Sequence, residues 1–172
     1  AYARIAPERR PQVHLSVGRL MLAQRRLAAH DEDLFDIVSH LNLGAPLIES
    51  RAERLELARM NLDAGRKARL TSAFGSALAY FRAGIALLDG SPWRSHYELA
   101  YALWFEAAQC EYLGGHFAAA EQAMATLLKH AVGAQDRQFS APSASRSRRW
   151  PIPMRDVSSL GRRSMRMKSL RR

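Results

Sequence analysis

The chain has 172 residues, 48% of them hydrophobic, a single cysteine and a formal net charge of +10. That is apolar material for one ordinary domain, while Cys110 alone excludes an internal disulfide framework and no apolar run reaches the roughly 20 residues that span a bilayer. The six histidines fall at no short metal-binding spacing and the opening "AYARIAPERR" lacks the apolar core of a signal peptide, so a cytoplasmic protein with no metal or cofactor is expected.

From Pro11, the apolar residues Val13, Val17, Leu20 and Met21 recur at helical spacing, and "DEDLFDIVSHL" repeats the pattern with Leu34, Ile37, Val38 and Leu41. Gly44 and Pro46 then break the period. Ser50 and Glu53 stand at the spacing of a capping box and open a third helix through Leu55, Ala58 and Leu62. A polar turn from Arg69 to Ser72 leads into a fourth helix through Phe74, Ala77, Phe81 and Leu88, closed by Asp89-Gly90. After "DGSPWRS", Ser95 and Glu98 form a second box-like pair, and the helix they open runs through Trp104 and Ala108 to the pair Gly114-Gly115. Phe117, Ala120, Met124 and Leu127 make its antiparallel partner. No alternating strand pattern is found, so the fold class is all-α.

Charge divides the chain unevenly. Residues 1–135 carry 15 basic and 14 acidic side chains, whereas residues 136–172 carry 11 basic and 2 acidic. The chain therefore reads as N-terminal helices over 1–49, two helical hairpins over 50–135, and a basic, low-complexity, disordered tail over 136–172. A near-neutral body has no electrostatic footprint for nucleic acid, so only the tail could supply one.

Gly114-Gly115 raises the question of a phosphate cradle. Such a loop needs a strand before the glycines and Lys-Ser/Thr after them, and both are missing. The spacing instead matches a tetratricopeptide repeat: Trp104, Ala107-Ala108 and Glu111 in one helix, then Ala120 and Met124 in the next. Small Ala108 and Ala120 suit a close helix crossing, and large Trp104, Met124 and Leu127 fill the hairpin. Ala64-Gly65 with Ala77 and Phe81 repeats this more loosely, 43 residues upstream, with the loop around Pro92-Trp93 as an insertion.

The stretches "PERRPQVHLSVGRLML", "LFDIVSHLNLGAPLI", "ERLELARMNLDAGRKA", "ALAYFRAGIALL" and "ELAYALWFEAAQCEYLGGHFAAAE" together carry a closer likeness. They resemble the helical repeat region of large bacterial signalling proteins in which a serine/threonine kinase, an AAA-type ATPase module, this region and a sensor histidine kinase follow one another. The resemblance covers residues 1–135. It implies a short tetratricopeptide-like solenoid acting as a non-catalytic interaction and signal-relay module, with protein or neighbouring domains as partners. No kinase or ATPase motif is present to carry over, so the chain looks like a fragment and no catalytic residue is expected. The tail departs from the family. It is either the product of a frameshift in a GC-rich gene or a basic arm, and in the second case a small nucleic-acid-binding protein is the alternative function.

Stacking the hairpins in this way places Arg59, Arg66, Arg69, Phe105, Gln109 and Tyr112 on an inner groove, where they are either solvated or recognise an acidic peptide or neighbouring domain. Cys110 lies at helical spacing from Leu113 and Phe105 and reads as a packed thiol. Glu106 and Glu111 are five residues apart and share no helix face, which leaves paired-carboxylate catalysis without support.

Overall fold

The computed structural model describes residues 6–28 and 34–140, with side chains for 6–25 and 34–131. Residues 1–133 form one compact unit; of the second, 134–172, only the end of the last helix falls among the described residues. The elements are α1 (Arg10–Ala28), α2 (Leu34–Gly44), α3 (Arg51–Leu70), α4 (Phe74–Ala86), the single turn α5 (Pro92–Ser95), α6 (Tyr97–Leu113) and α7 (Phe117–Ser140). No described residue lies in a strand. Neighbours in sequence are neighbours in space: α1 packs on α2, α2 on α3, α3 on α4, and α4 on α6. The expected tail lies outside the described residues from 141 on, while α7 itself continues to Ser140.

Glycines set how closely these helices approach. A Cβ on Gly18 of α1 would stand 2.8 Å from the Leu41 side chain, and one on Gly44 of α2 would stand 2.6 Å from Leu15 Cβ. Each helix of the pair thus seats a leucine on the other's glycine. This turns Leu15 and Gly18 inward and leaves Val13 and Leu20 exposed. Of the expected set, Val17 is half-buried and Met21 packs on the core, whereas Val13 and Leu20 point outward because a closer crossing through Gly18 outweighs a wider apolar stripe. In α2 the expected residues Leu34, Ile37, Val38 and Leu41 are all buried.

Ser50 caps α3, its hydroxyl accepting from the Glu53 backbone N–H at 3.4 Å. The reciprocal half of the expected box is absent, since the Glu53 carboxylate instead accepts two hydrogen bonds from Arg19 of α1 at 2.7 and 2.8 Å. Asn61, fully buried in α3, exchanges amide hydrogen bonds with Asn42 of α2 at 2.8 and 2.9 Å and donates to Leu57 O. The Phe81 ring of α4 lies over Gly65, where an added Cβ would meet it at 2.4 Å. Gly84, one turn on, admits Leu103 of α6 in the same manner at 2.7 Å.

The second expected box does not form. Ser95 ends α5, its hydroxyl donates back to Ser91 O at 3.3 Å, and His96 precedes α6 without a side-chain cap. Pro92 explains this, because a proline suits the first turn of a helix and starts α5 three residues early. At the end of α6, Gly115 takes a φ of +82° and the His116 N–H reaches back to Glu111 O at 2.8 Å. That six-to-one bond needs a left-handed residue at Gly115, so the glycine pair is a helix terminator. Beyond it Ala120, Ala123 and Leu127 of α7 are buried.

The Gly65 crossing should be intolerant of one added carbon. Gly65→Ala is expected to lower stability by about 1–3 kcal/mol through overpacking, while Gly75→Ala, which meets nothing within 4 Å, should be neutral or stabilising by about 0.5 kcal/mol. Thermal melts of the two variants check this. The Arg19 hydrogen bonds hold the Glu53 carboxyl below its ordinary value, so their contribution is present above the unfolded carboxyl pKa and is lost as pH falls through the lower folded one. The pair is half exposed, so Arg19→Met should cost under about 1 kcal/mol at neutral pH and nothing in acid, as measured by urea melts at the two pH values.

Candidate functional site

The site is built on α6, which packs on α4 and also touches α3. Two carboxylates sit within its covered surface, Glu106 and Glu111, with side chains 8% and 7% exposed. An unpaired buried charge is strongly destabilising, so each must find cations. Glu106 faces α3: Arg66 Nε donates to its Oε1 at 2.8 Å, and Arg69 Nε stands 3.0 Å from its Oε2, in ionic contact without hydrogen-bond alignment. Glu111 faces the other way. It accepts a short bond from Arg82 of α4, and His116 Nδ1 beyond the turn lies 3.1 Å from its second oxygen. The two carboxylates serve two separate interfaces.

Phe105, Gln109 and Tyr112 are partly exposed on α6, and Arg66 and Arg69 reach that helix from α3. Arg59 is exposed further back along α3. Arg66 and Arg69 hold Glu106, so two of the three groove arginines are already committed to an internal partner. Phe105 stacks on Tyr101 at 6.0 Å between ring centroids, and Tyr112 meets Phe117 edge-on at 5.4 Å. Tyr101 itself is buried, and its phenol pKa is pushed up by that burial.

Cys110 is buried between the two carboxylates. Burial raises its thiol pKa, Arg69 opposes this, and Glu106 and Glu111 add to it. A thiol in that setting stays protonated and packs as an apolar group. Among the described residues no group of three or more His, Cys, Asp or Glu is placed to hold a metal ion, and no helix is long and apolar enough to cross a membrane.

Sequence reasoning weighed Glu106 and Glu111 only as a catalytic pair and missed their burial and the partners Arg82 and His116. The signal was present: both glutamates interrupt an otherwise apolar helix next to small residues that must be buried, Ala107, Ala108 and Cys110. It also passed over a half-open cleft of about 430 Å³ between α4 and α7, floored by Trp104 and Ala107 of α6.

With this geometry in view, comparison with known proteins gives a relative of one class. The chain is similar to the hybrid signal transduction histidine kinase G of Dictyostelium discoideum, at 23% identity over 171 residues. The match covers 86% of this chain and 5% of that protein, so the chain spans a small fraction of its relative's length. No family model matches the chain, and no solved structure matches it. A chain helical throughout its described elements and similar to a signalling protein is the class these observations define. Nucleic-acid binding through residues 136–172 rests on a segment most of which lies outside the described residues.

Removing the cations should expose the cost of the buried charge. Arg66→Met alone should be mild because Arg69 remains. The Arg66→Met/Arg69→Met double variant should lose about 3–5 kcal/mol, more than the two single effects added, as read by chemical denaturation.

Proposed function

We propose that this chain is a non-catalytic interaction and relay module of a multidomain signalling protein, its hairpins stacked as a short tetratricopeptide-like solenoid. The observation that carries this is the likeness to a histidine kinase of signal transduction across most of this chain but only 5% of that protein, which suits a helical segment embedded in a long signalling polypeptide. The order of packing, α1 on α2, α2 on α3, α3 on α4 and α4 on α6, is also what stacked hairpins require.

The binding surface in this proposal is the α3/α6 face. Phe105, Gln109 and Tyr112 supply half-exposed aromatic and amide groups, and Arg59, with the outward edges of Arg66 and Arg69, supplies positive charge along the rim. Tyrosine and arginine are the side chains that most often anchor protein interfaces. An acidic peptide segment or a neighbouring domain of the same polypeptide is the partner, and chemistry belongs to other domains.

Two measurements test this. Incubation with labelled ATP and magnesium should give no hydrolysis and no autophosphorylation; turnover abolished by a point substitution within the chain would contradict it. On an array of acidic and neutral peptides, the chain should retain acidic sequences, and Phe105→Ala/Tyr112→Ala should weaken retention by about tenfold or more. Binding to DNA that falls steeply with salt and is lost on deleting residues 137–172 would favour the nucleic-acid alternative instead.

A further inference from the structure

The cleft between α4 and α7 lies apart from the α3/α6 face and is untouched by the relay proposal. Its space is made by small side chains: Ala86 on the α4 wall, Ala119 and Ala123 on the α7 wall, and Ala107 on the floor. Four alanines where a hairpin stack would ordinarily interlock larger residues leave a hollow of about 430 Å³, within the range of small-molecule sites. Its chemistry is uneven. Trp104 gives an extended aromatic surface at one part of the lining, with Trp93 behind it at 6.4 Å between centroids, and Trp93 is itself stacked on His130 of α7 at 4.2 Å. Trp104 thus belongs to a cluster of rings.

Charge is presented at another part of the lining. Arg82 is 63% exposed while Glu111, which also lines the cleft, is 7% exposed, so the guanidinium offers solvent far more surface than the carboxylate it holds. Glu111 also contacts His116, which leaves Arg82 with donors to spare after its one bond. Gln122 and Thr126 add an amide and a hydroxyl along α7, the Thr126 hydroxyl donating to Gln122 O at 3.1 Å.

We infer that the α4/α7 cleft binds a small aromatic carboxylate, its ring against Trp104 and its anionic group on Arg82. The alanine walls admit a flat apolar body, and the buried Glu111 holds the arginine in place for the anion, in the way a second carboxylate orients a guanidinium fork.

Calorimetric titration of the full chain with phenylacetate, and with benzyl alcohol and benzylamine as neutral and cationic counterparts, tests this. Phenylacetate should bind about tenfold or more tightly than either counterpart. Ala119→Leu, which fills the cleft without touching the ion pair, should weaken it by about tenfold with the helical circular dichroism retained, and Arg82→Met should erase the preference over benzyl alcohol. If Ala119→Leu fails to fold, Thr126→Leu carries the same test from the other part of α7. Absence of saturable phenylacetate binding below about 10 mM, equal affinity for all three compounds, or undiminished binding by a folded cleft-filling variant would each overturn the inference.

Discussion

Close helix approach through glycine is the constraint on which the rest of the structure depends. Leu41 over Gly18, Leu15 over Gly44, Phe81 over Gly65 and Leu103 over Gly84 form a series of large residues seated on bare backbone, two where α1 meets α2 and one each where α3 meets α4 and α4 meets α6. Each would clash with a single added methyl group. Because the contacts alternate along the chain, the position of one hairpin sets the next, and the aromatic and charged groups of α6 are placed by crossings made more than twenty residues upstream. The cores beneath them form two clusters, one under α1 to α3 and one under α3, α4 and α6, with Tyr80, Leu88 and Leu99 packed against both.

Buried polar groups then select one arrangement among those that apolar packing would permit. The Asn42–Asn61 amide exchange is satisfied in one register of α2 against α3, and a slip of one residue would bury an amide without a partner. Glu106 and Glu111 act likewise on α6. One demands α3 and the other demands α4 and the turn at His116, so a rotation of α6 that moved either carboxylate would bury a bare charge. The same two glutamates determine which arginines keep donors for an outside partner and which spend them within the fold.

These internal ion pairs bear on how a relay module could work. A surface whose arginines already hold a buried carboxylate is pre-organised, and a partner that contacts Arg66 or Arg69 also touches the α3–α6 tie. On the relay reading proposed above, binding there would be coupled to the packing of α3 on α6 through shared groups rather than through distance. The cleft between α4 and α7 lies beside the other carboxylate, where Arg82 has the corresponding place.

Helical periodicity, the Ser50 cap, the buried set of α2, the Phe81 hairpin and the turn at Gly115 were all legible in the sequence, because each depends on residues within a few positions of one another. Tertiary structure decided the rest. It turned Val13 and Leu20 outward, drew Glu53 from its own helix terminus to Arg19, and let Pro92 start a helix that left Ser95 at its end. Helical register was enough to set Phe105, Gln109 and Tyr112 along one line of α6, but the pairing of Arg66 and Arg69 with Glu106 spans about forty positions and could not be read from it. A local pattern records which side chains a helix can bury; which of its faces is buried, and which partner meets each charge, depends on the distance between backbones that glycines elsewhere in the chain allow.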